Sequence, residues 1–119
     1  MRENHPTRST RGFRVHTNER DGALVVECHG RLVRENAPAL KEELKERLAG
    51  TKRIVLDLKD VPSMDSSGLG ALVGLYVSAR SRGCQFQLVN AGQQIRELLQ
   101  ITNVLALFET AGRHGGRLI

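Results

Sequence analysis

Apolar and polar residues alternate from Phe13 through Thr17, with Phe13, Val15 and Thr17 in one register, which predicts a half-buried strand. A second strand is expected over Ala23-Leu24-Val25-Val26-Glu27-Cys28-His29, and Asp21-Gly22 between the two is turn chemistry for a hairpin. The period then lengthens. Ala37, Leu40, Leu44 and Leu48 recur at three- and four-residue steps while Lys41, Glu42, Lys45 and Glu46 take the other face, the pattern of an amphipathic helix. Asn36 is placed to cap that helix, Pro38 falls in its first turn, and Gly50 suits a left-handed residue at its close. The apolar run Ile54-Val55-Leu56-Asp57-Leu58 reads as a strand buried on both faces.

Helical spacing returns from Ser66 to Arg82, with Leu69, Leu72, Val73, Tyr76 and Val77 expected inward and Gly83 at the end. Gln85-Phe86-Gln87-Leu88-Val89 predicts another strand, and Asn90 three residues before Gln93 resembles a capping box opening a helix with Ile95, Leu98 and Leu99 inward. Val104 to Phe108 could add a short extended piece, and no internal repeat is present. The order β-β-α-β-α-β-α implies an α/β domain, a mixed sheet of about four to five strands with helices packed against it. Loops after the strand carboxyl ends then gather at one edge, and Lys59 to Ser66 is among them.

The chain has 119 residues, the size of one domain with one core. The domain is expected over residues 12–110, flanked by a flexible basic tail at 1–11 and a Gly-rich basic tail at 111–119. The formal charge of +5 sits at the ends, because residues 21–109 carry eleven basic and eleven acidic side chains. A neutral domain with only 3% aromatic residues offers little to a nucleic acid, so no direct nucleic-acid partner is expected. Cys28 and Cys84 lack metal-motif spacing and disulfide density, and Met1 to Arg14 contains no signal-like apolar run. No membrane span, metal or cofactor is expected, and the protein is expected to be cytoplasmic.

Chemistry concentrates in Val61-Pro62-Ser63-Met64-Asp65-Ser66-Ser67-Gly68-Leu69-Gly70. Gly68, Gly70 and Gly74 fall early in the second helix, where each costs about 1 kcal/mol relative to alanine. Close approach by a strand or by a partner protein is a physical reason to accept that cost. Asp65 or Ser66 can cap the helix, and a phosphate on a hydroxyl here would meet the positive end of the helix dipole.

Asp57-Leu58, Val61, Met64-Asp65-Ser66-Ser67-Gly68-Leu69-Gly70 and Gly74 resemble the signature segment of STAS domains, particularly anti-sigma-factor antagonists. Gly30, the helix from Ala37, Gly83, Leu98-Leu99-Gln100-Ile101-Thr102 and Phe108 are similar in placement, so the likeness covers roughly Phe13 to Thr110. The resemblance implies that Ser66 is phosphorylated by an anti-sigma factor that is also a serine kinase. It implies further that the unmodified protein binds this partner and frees a sigma factor, that phosphorylation abolishes binding, and that a phosphatase could reset the switch. Asp65, Ser66, Ser67, Gly68, Leu69 and Gly70 are then the partner-binding residues, with Ser67 a cap and backbone partner rather than an acceptor.

Two features depart from the family pattern. An acidic residue usually follows the glycine that ends the second strand by two or three positions, whereas Gly30 is followed here by Arg31-Leu32-Val33-Arg34, with Val33 in its place. The family's final amphipathic helix also has no counterpart in the Gly-rich end. These departures feed an alternative, a non-phosphorylated STAS regulatory or scaffold subunit of a lipid-transport ATPase or a stress-sensing assembly.

Enzymatic readings have less support. Met64 and Asp65 stand where a nucleophile elbow needs glycine, Gly68 and Gly70 lack the third glycine of a dinucleotide fingerprint, and there is no P-loop lysine. Cys28 and His29 are strand neighbours that face opposite ways, so with His16 they read as ordinary strand residues. Asp57, at the end of a buried strand, reads as structural.

Overall fold

A computed structural model describes residues 8–10, 12–104 and 106. The expected alternation is present, preceded by one further strand. In order, the elements are β1 (Arg8–Thr10), β2 (Phe13–Arg20), β3 (Ala23–His29), α1 (Ala37–Lys45), β4 (Arg53–Asp60), α2 (Ser66–Ser81), β5 (Gln85–Val89) and α3 (Gln93–Ile101). They form one five-stranded sheet in the order β1-β2-β3-β4-β5. The first two pairings are antiparallel, and β3 with β4 and β4 with β5 are parallel.

β1 lies inside the stretch expected as a tail. Its pairing with β2 runs through backbone groups, which need no apolar period. The β2–β3 hairpin closes through Asp21 at φ 53° and Gly22 at φ 79°, the two positive values a two-residue type I′ turn requires. The strands pair right up to that turn, Arg20 opposite Ala23, so β2 runs three residues past the expected Thr17.

One face of the sheet is buried. Val15, Thr17, Leu24, Val26, Cys28, Ile54, Leu56, Leu58, Phe86 and Leu88 lie on it, and its apolar members form one core with Leu40, Leu44, Leu72, Leu75, Ile95 and Leu99 of the helices. On β4 the burial alternates, with Val55 and Asp57 only half-buried, which corrects the expectation of a strand covered on both faces. A run of apolar letters hides this alternation because Val55 is apolar on the thinly covered side. Cys28 points into the core, while His29 on the other face lies with Nδ1 3.0 Å from Asp60 Oδ2, so the two do not converge on a metal.

Helix α2 is rotated from the expected face. Gly68, Ala71, Leu72, Leu75, Tyr76 and Ala79 are buried, whereas Val77 is 58% exposed. Leucine, valine and tyrosine occur all around this helix, so hydrophobicity alone does not choose the inward side. The small residues do, because they let the helix lie close to its neighbours.

The side chains of two expected caps are used elsewhere. Asn36 holds the N-cap position of α1, but its buried side chain makes no cap bond; its Oδ1 accepts from the Val33 N–H at 3.0 Å and its Nδ2 donates to the Arg31 carbonyl at 3.0 Å. Asn90 adopts φ 59° and donates from Nδ2 to Asp57 Oδ1 at 3.1 Å, leaving Gly92 at the start of α3. Asp57 also accepts from the Lys59 N–H at 3.0 Å, so it ties the ends of β4 and β5 together. Helix α1 ends at Lys45; Leu48 is still buried, and Gly50 at φ 82° turns the chain toward β4. Of Val104 to Phe108, Ala106 is helical, and Leu105, Leu107 and Phe108 lie outside the described residues, as do most of the expected tails.

Both cysteines are free and buried, and burial pushes each thiol above its ordinary value. Little thiolate is then available at neutral pH. Cys28 and Cys84 are therefore expected to resist a thiol reagent at pH about 8, where a free cysteine is appreciably ionised, and to react together upon unfolding in urea. A stopped-flow thiol assay with and without denaturant checks this.

Candidate functional site

The candidate site lies where β3 and β4 run out in parallel. Beyond the strands their two loops continue to pair. The Gly30 N–H donates to the Asp60 carbonyl at 3.0 Å and the Leu32 N–H to the Ser63 carbonyl at 3.1 Å, while the Asp65 N–H donates to the Leu32 carbonyl at 3.3 Å. Leu32 and Met64 form an isolated parallel bridge, and both side chains are buried.

Two glycines make this pairing possible. Gly30 has φ +112°, and a Cβ there would overlap the Gly12 carbonyl oxygen. Gly68, in the first turn of α2, packs so closely that a Cβ would overlap the Leu32 carbonyl oxygen. Its place in a helix start is thus explained within the chain.

Asp65 fastens the junction. It caps α2 from an extended conformation, with Oδ1 accepting from the N–H groups of Ser67 at 2.9 Å and Gly68 at 3.1 Å. Oδ2 accepts from the Arg34 N–H at 3.1 Å, across from the β3–α1 loop. Desolvation pushes the carboxyl up, but the bonds from Gly68, Arg34 and Ser67 outweigh it and hold Asp65 below its ordinary value of 3.8. From the third side, Gln94 of α3 accepts at Oε1 from the Met64 N–H at 3.1 Å.

Ser66 is the first residue of α2 and is exposed, and among the described residues its hydroxyl is not engaged by the cap, which Asp65 supplies alone. Ser67 gives its backbone N–H to that cap and is half-buried. Asp65 and Gly70 are exposed, Leu69 is half-buried against the core, and Gly68 is buried. The expected partner-binding residues therefore divide. Asp65, Ser66 and Gly70 lie on the surface with Ser67 and Leu69 at its margin, while Gly68 is buried against Leu32. A Cβ on Gly70 would meet nothing within 4 Å.

A model of the STAS domain matches residues 14–115. The chain belongs to the STAS domain family. The anti-sigma-B factor antagonist of Bacillus subtilis is 29% identical over 102 residues, covering 86% of this chain and 92% of that protein. An anti-sigma factor antagonist of Mycobacterium paratuberculosis, a crystal structure, superposes with TM-score 0.72 at 26% identity, covering 81% of this chain and 82% of that one. The phosphorylated form of the Bacillus cell fate determinant SpoIIAA superposes with TM-score 0.65 at 16% identity, covering 79% and 86%, a likeness of fold. Within the family the chain is of the anti-sigma-factor antagonist type.

Sequence reasoning located the Asp-Ser-Ser-Gly run of this STAS domain but missed what braces it: Leu32, the Arg34 N–H, Asn36 and Gln94. Their signal is tertiary. A polar residue such as Asn36 in an otherwise apolar register was the one available hint.

Two substitutions should separate the glycines. Gly68→Ala is expected to destabilise the STAS domain despite better helix propensity, whereas Gly70→Ala, which meets open space, should stabilise it by up to about 1 kcal/mol; urea unfolding reads both. Asp65→Ala should cost about 0.5–2 kcal/mol at neutral pH. Because the folded carboxyl is held below 3.8, its contribution is full above that pH and fades as pH falls through the folded value. The gap between wild type and Asp65→Ala should accordingly narrow in acid.

Proposed function

We propose that this STAS domain is a phosphorylation-controlled antagonist of an anti-sigma factor. In its unmodified form it binds an anti-sigma factor that is also a serine kinase, and the bound sigma factor is released. Transfer of the ATP γ-phosphoryl group to Ser66 Oγ, with loss of the hydroxyl proton, ends that binding. The chain is a binding partner and substrate with no catalytic residues of its own, and a phosphatase resets it.

The observation that supports this reading is the pairing of an exposed Ser66 with a capping Asp65 that is already committed. Because Asp65 holds the helix start, Ser66 is spared for chemistry and can be modified without removing the cap. A phosphate would add about −1.5 to −2 charge beside the Asp65 carboxylate and on the surface a partner must desolvate, so like-charge repulsion and desolvation both oppose docking. The helix dipole attracts that phosphate in the free chain, which favours the modified, released state further.

Intact mass after incubation with serine-kinase anti-sigma factors and ATP, with pull-down of wild type, Ser66→Ala and Ser66→Asp, tests the proposal. One phosphoryl group should appear on wild type and not on Ser66→Ala, and Ser66→Asp should lose the partner that Ser66→Ala retains. Equal binding of wild type and Ser66→Asp, with no mass change, would contradict the switch and favour a STAS scaffold that works without phosphorylation.

A further inference from the structure

We infer that the surface around Ser66 is built to dock an acidic face of the anti-sigma factor, and that Arg31 and Arg34 are the residues that select it. This inference rests on the function proposed above and specifies the partner's chemistry.

The β3–α1 loop passes beside the start of α2, and its exposed residues are Arg31, Arg34 and Glu35. The position of Arg34 is set by its backbone, whose N–H is bonded to the carboxylate of Asp65, the residue before Ser66. Its guanidinium makes no ion pair with any described residue. Arg31 reaches across to the other loop, with Nε donating weakly to Ser63 Oγ at 3.4 Å. Its guanidinium, too, makes no ion pair with any described residue. Further along α2, the ammonium of Lys41 lies over Gly74, 3.0 Å from where a Cβ would stand.

Two exposed carboxylates, Asp65 and Glu35, stand beside these cations. Asp65 keeps its charge, but three backbone N–H groups fix its carboxylate at the helix start. Glu35 lines, with Arg31, Val33, Asn36, Gly30, Gly12 and Pro62, an open cleft of about 430 Å³ beside the loop pair. Of these side chains three are cationic, Arg31, Arg34 and Lys41, and two anionic, Asp65 and Glu35, so their balance where Ser66 must be approached is positive. Val33, half-buried in that cleft, adds an apolar contact and no charge.

Exposed arginines that flank a docking point steer an acidic surface onto it and reject a basic one. Arginine suits this task because its planar fork can grip carboxylates in pairs. A phosphate on Ser66 would then compete for the same guanidinium groups, so modification both repels the partner and covers the residues that attract it.

Each anti-sigma-factor kinase that binds the wild-type chain is measured against four variants by titration calorimetry at low and high salt. Arg31→Glu/Arg34→Glu should weaken binding by about ten-fold or more. The affinity lost by wild type on raising the salt should largely vanish in that variant. Glu35→Gln should tighten binding, the sign that separates electrostatics from structural damage. Arg20→Glu and Lys52→Glu, at the far end of the sheet, should change little, and circular dichroism should show all four folded. Unchanged binding by Arg31→Glu/Arg34→Glu while Ser66→Asp still abolishes it would overturn the acidic-face inference and leave the switch standing. If no such kinase binds, or Ser66→Asp has no effect, the function itself fails and this inference with it.

Discussion

The site depends on one close approach, the Leu32 carbonyl against Gly68 at the start of α2. That contact can exist only because Gly68 has no side chain, and it brings two loops into register where their strands have ended. Asp65 then spans the gap with one carboxylate, capping the helix with one oxygen and holding the Arg34 N–H with the other. Everything at the surface follows from this junction. It carries Ser66 outward, sets Arg34 beside it, and leaves the hydroxyl out of the cap.

A serine at a helix start is ordinarily a structural cap, and here that role is taken by its neighbour. The division of labour suits a switch that acts by charge. A residue that both capped the helix and accepted a phosphate would couple modification to unwinding, whereas a phosphate on Ser66, as proposed, would sit on a platform held from β3–α1, α2 and α3. The glycines divide in a parallel way. Gly30 and Gly68 serve the internal junction, and Gly70 opens on solvent.

Much of the fold was legible because the local signals were clean: the two-residue hairpin turn at Asp21-Gly22, the three-four spacing of α1, and the strand at Phe86; the apolar run at Ile54 marked a strand but not that only one of its faces is buried. The Asp65-Ser66-Ser67-Gly68 run was legible as a helix start carrying unusual glycines. What escaped was whatever required knowing a neighbour. Asn36 and Asn90 stand at the proper offsets to cap helices, yet the side chain of Asn36 turns back onto the Val33 and Arg31 backbone of its own loop, and that of Asn90 is captured by Asp57 of β4. The inward face of α2 escaped because small residues, not large ones, define it. The strand β1 escaped because an edge pairing through backbone leaves no mark on side-chain pattern.

The central claim is that Ser66 modification changes the charge of a rigid surface and leaves the junction beneath it intact. Amide hydrogen exchange on the chain carrying phosphoserine at position 66, compared with the unmodified chain, addresses it directly at the Ser67 and Gly68 amides that bond to Asp65. Retained protection at both amides is the predicted result. Loss of that protection, with exchange spreading through the first turn of α2, would show that the switch works by unwinding the helix and would contradict the account.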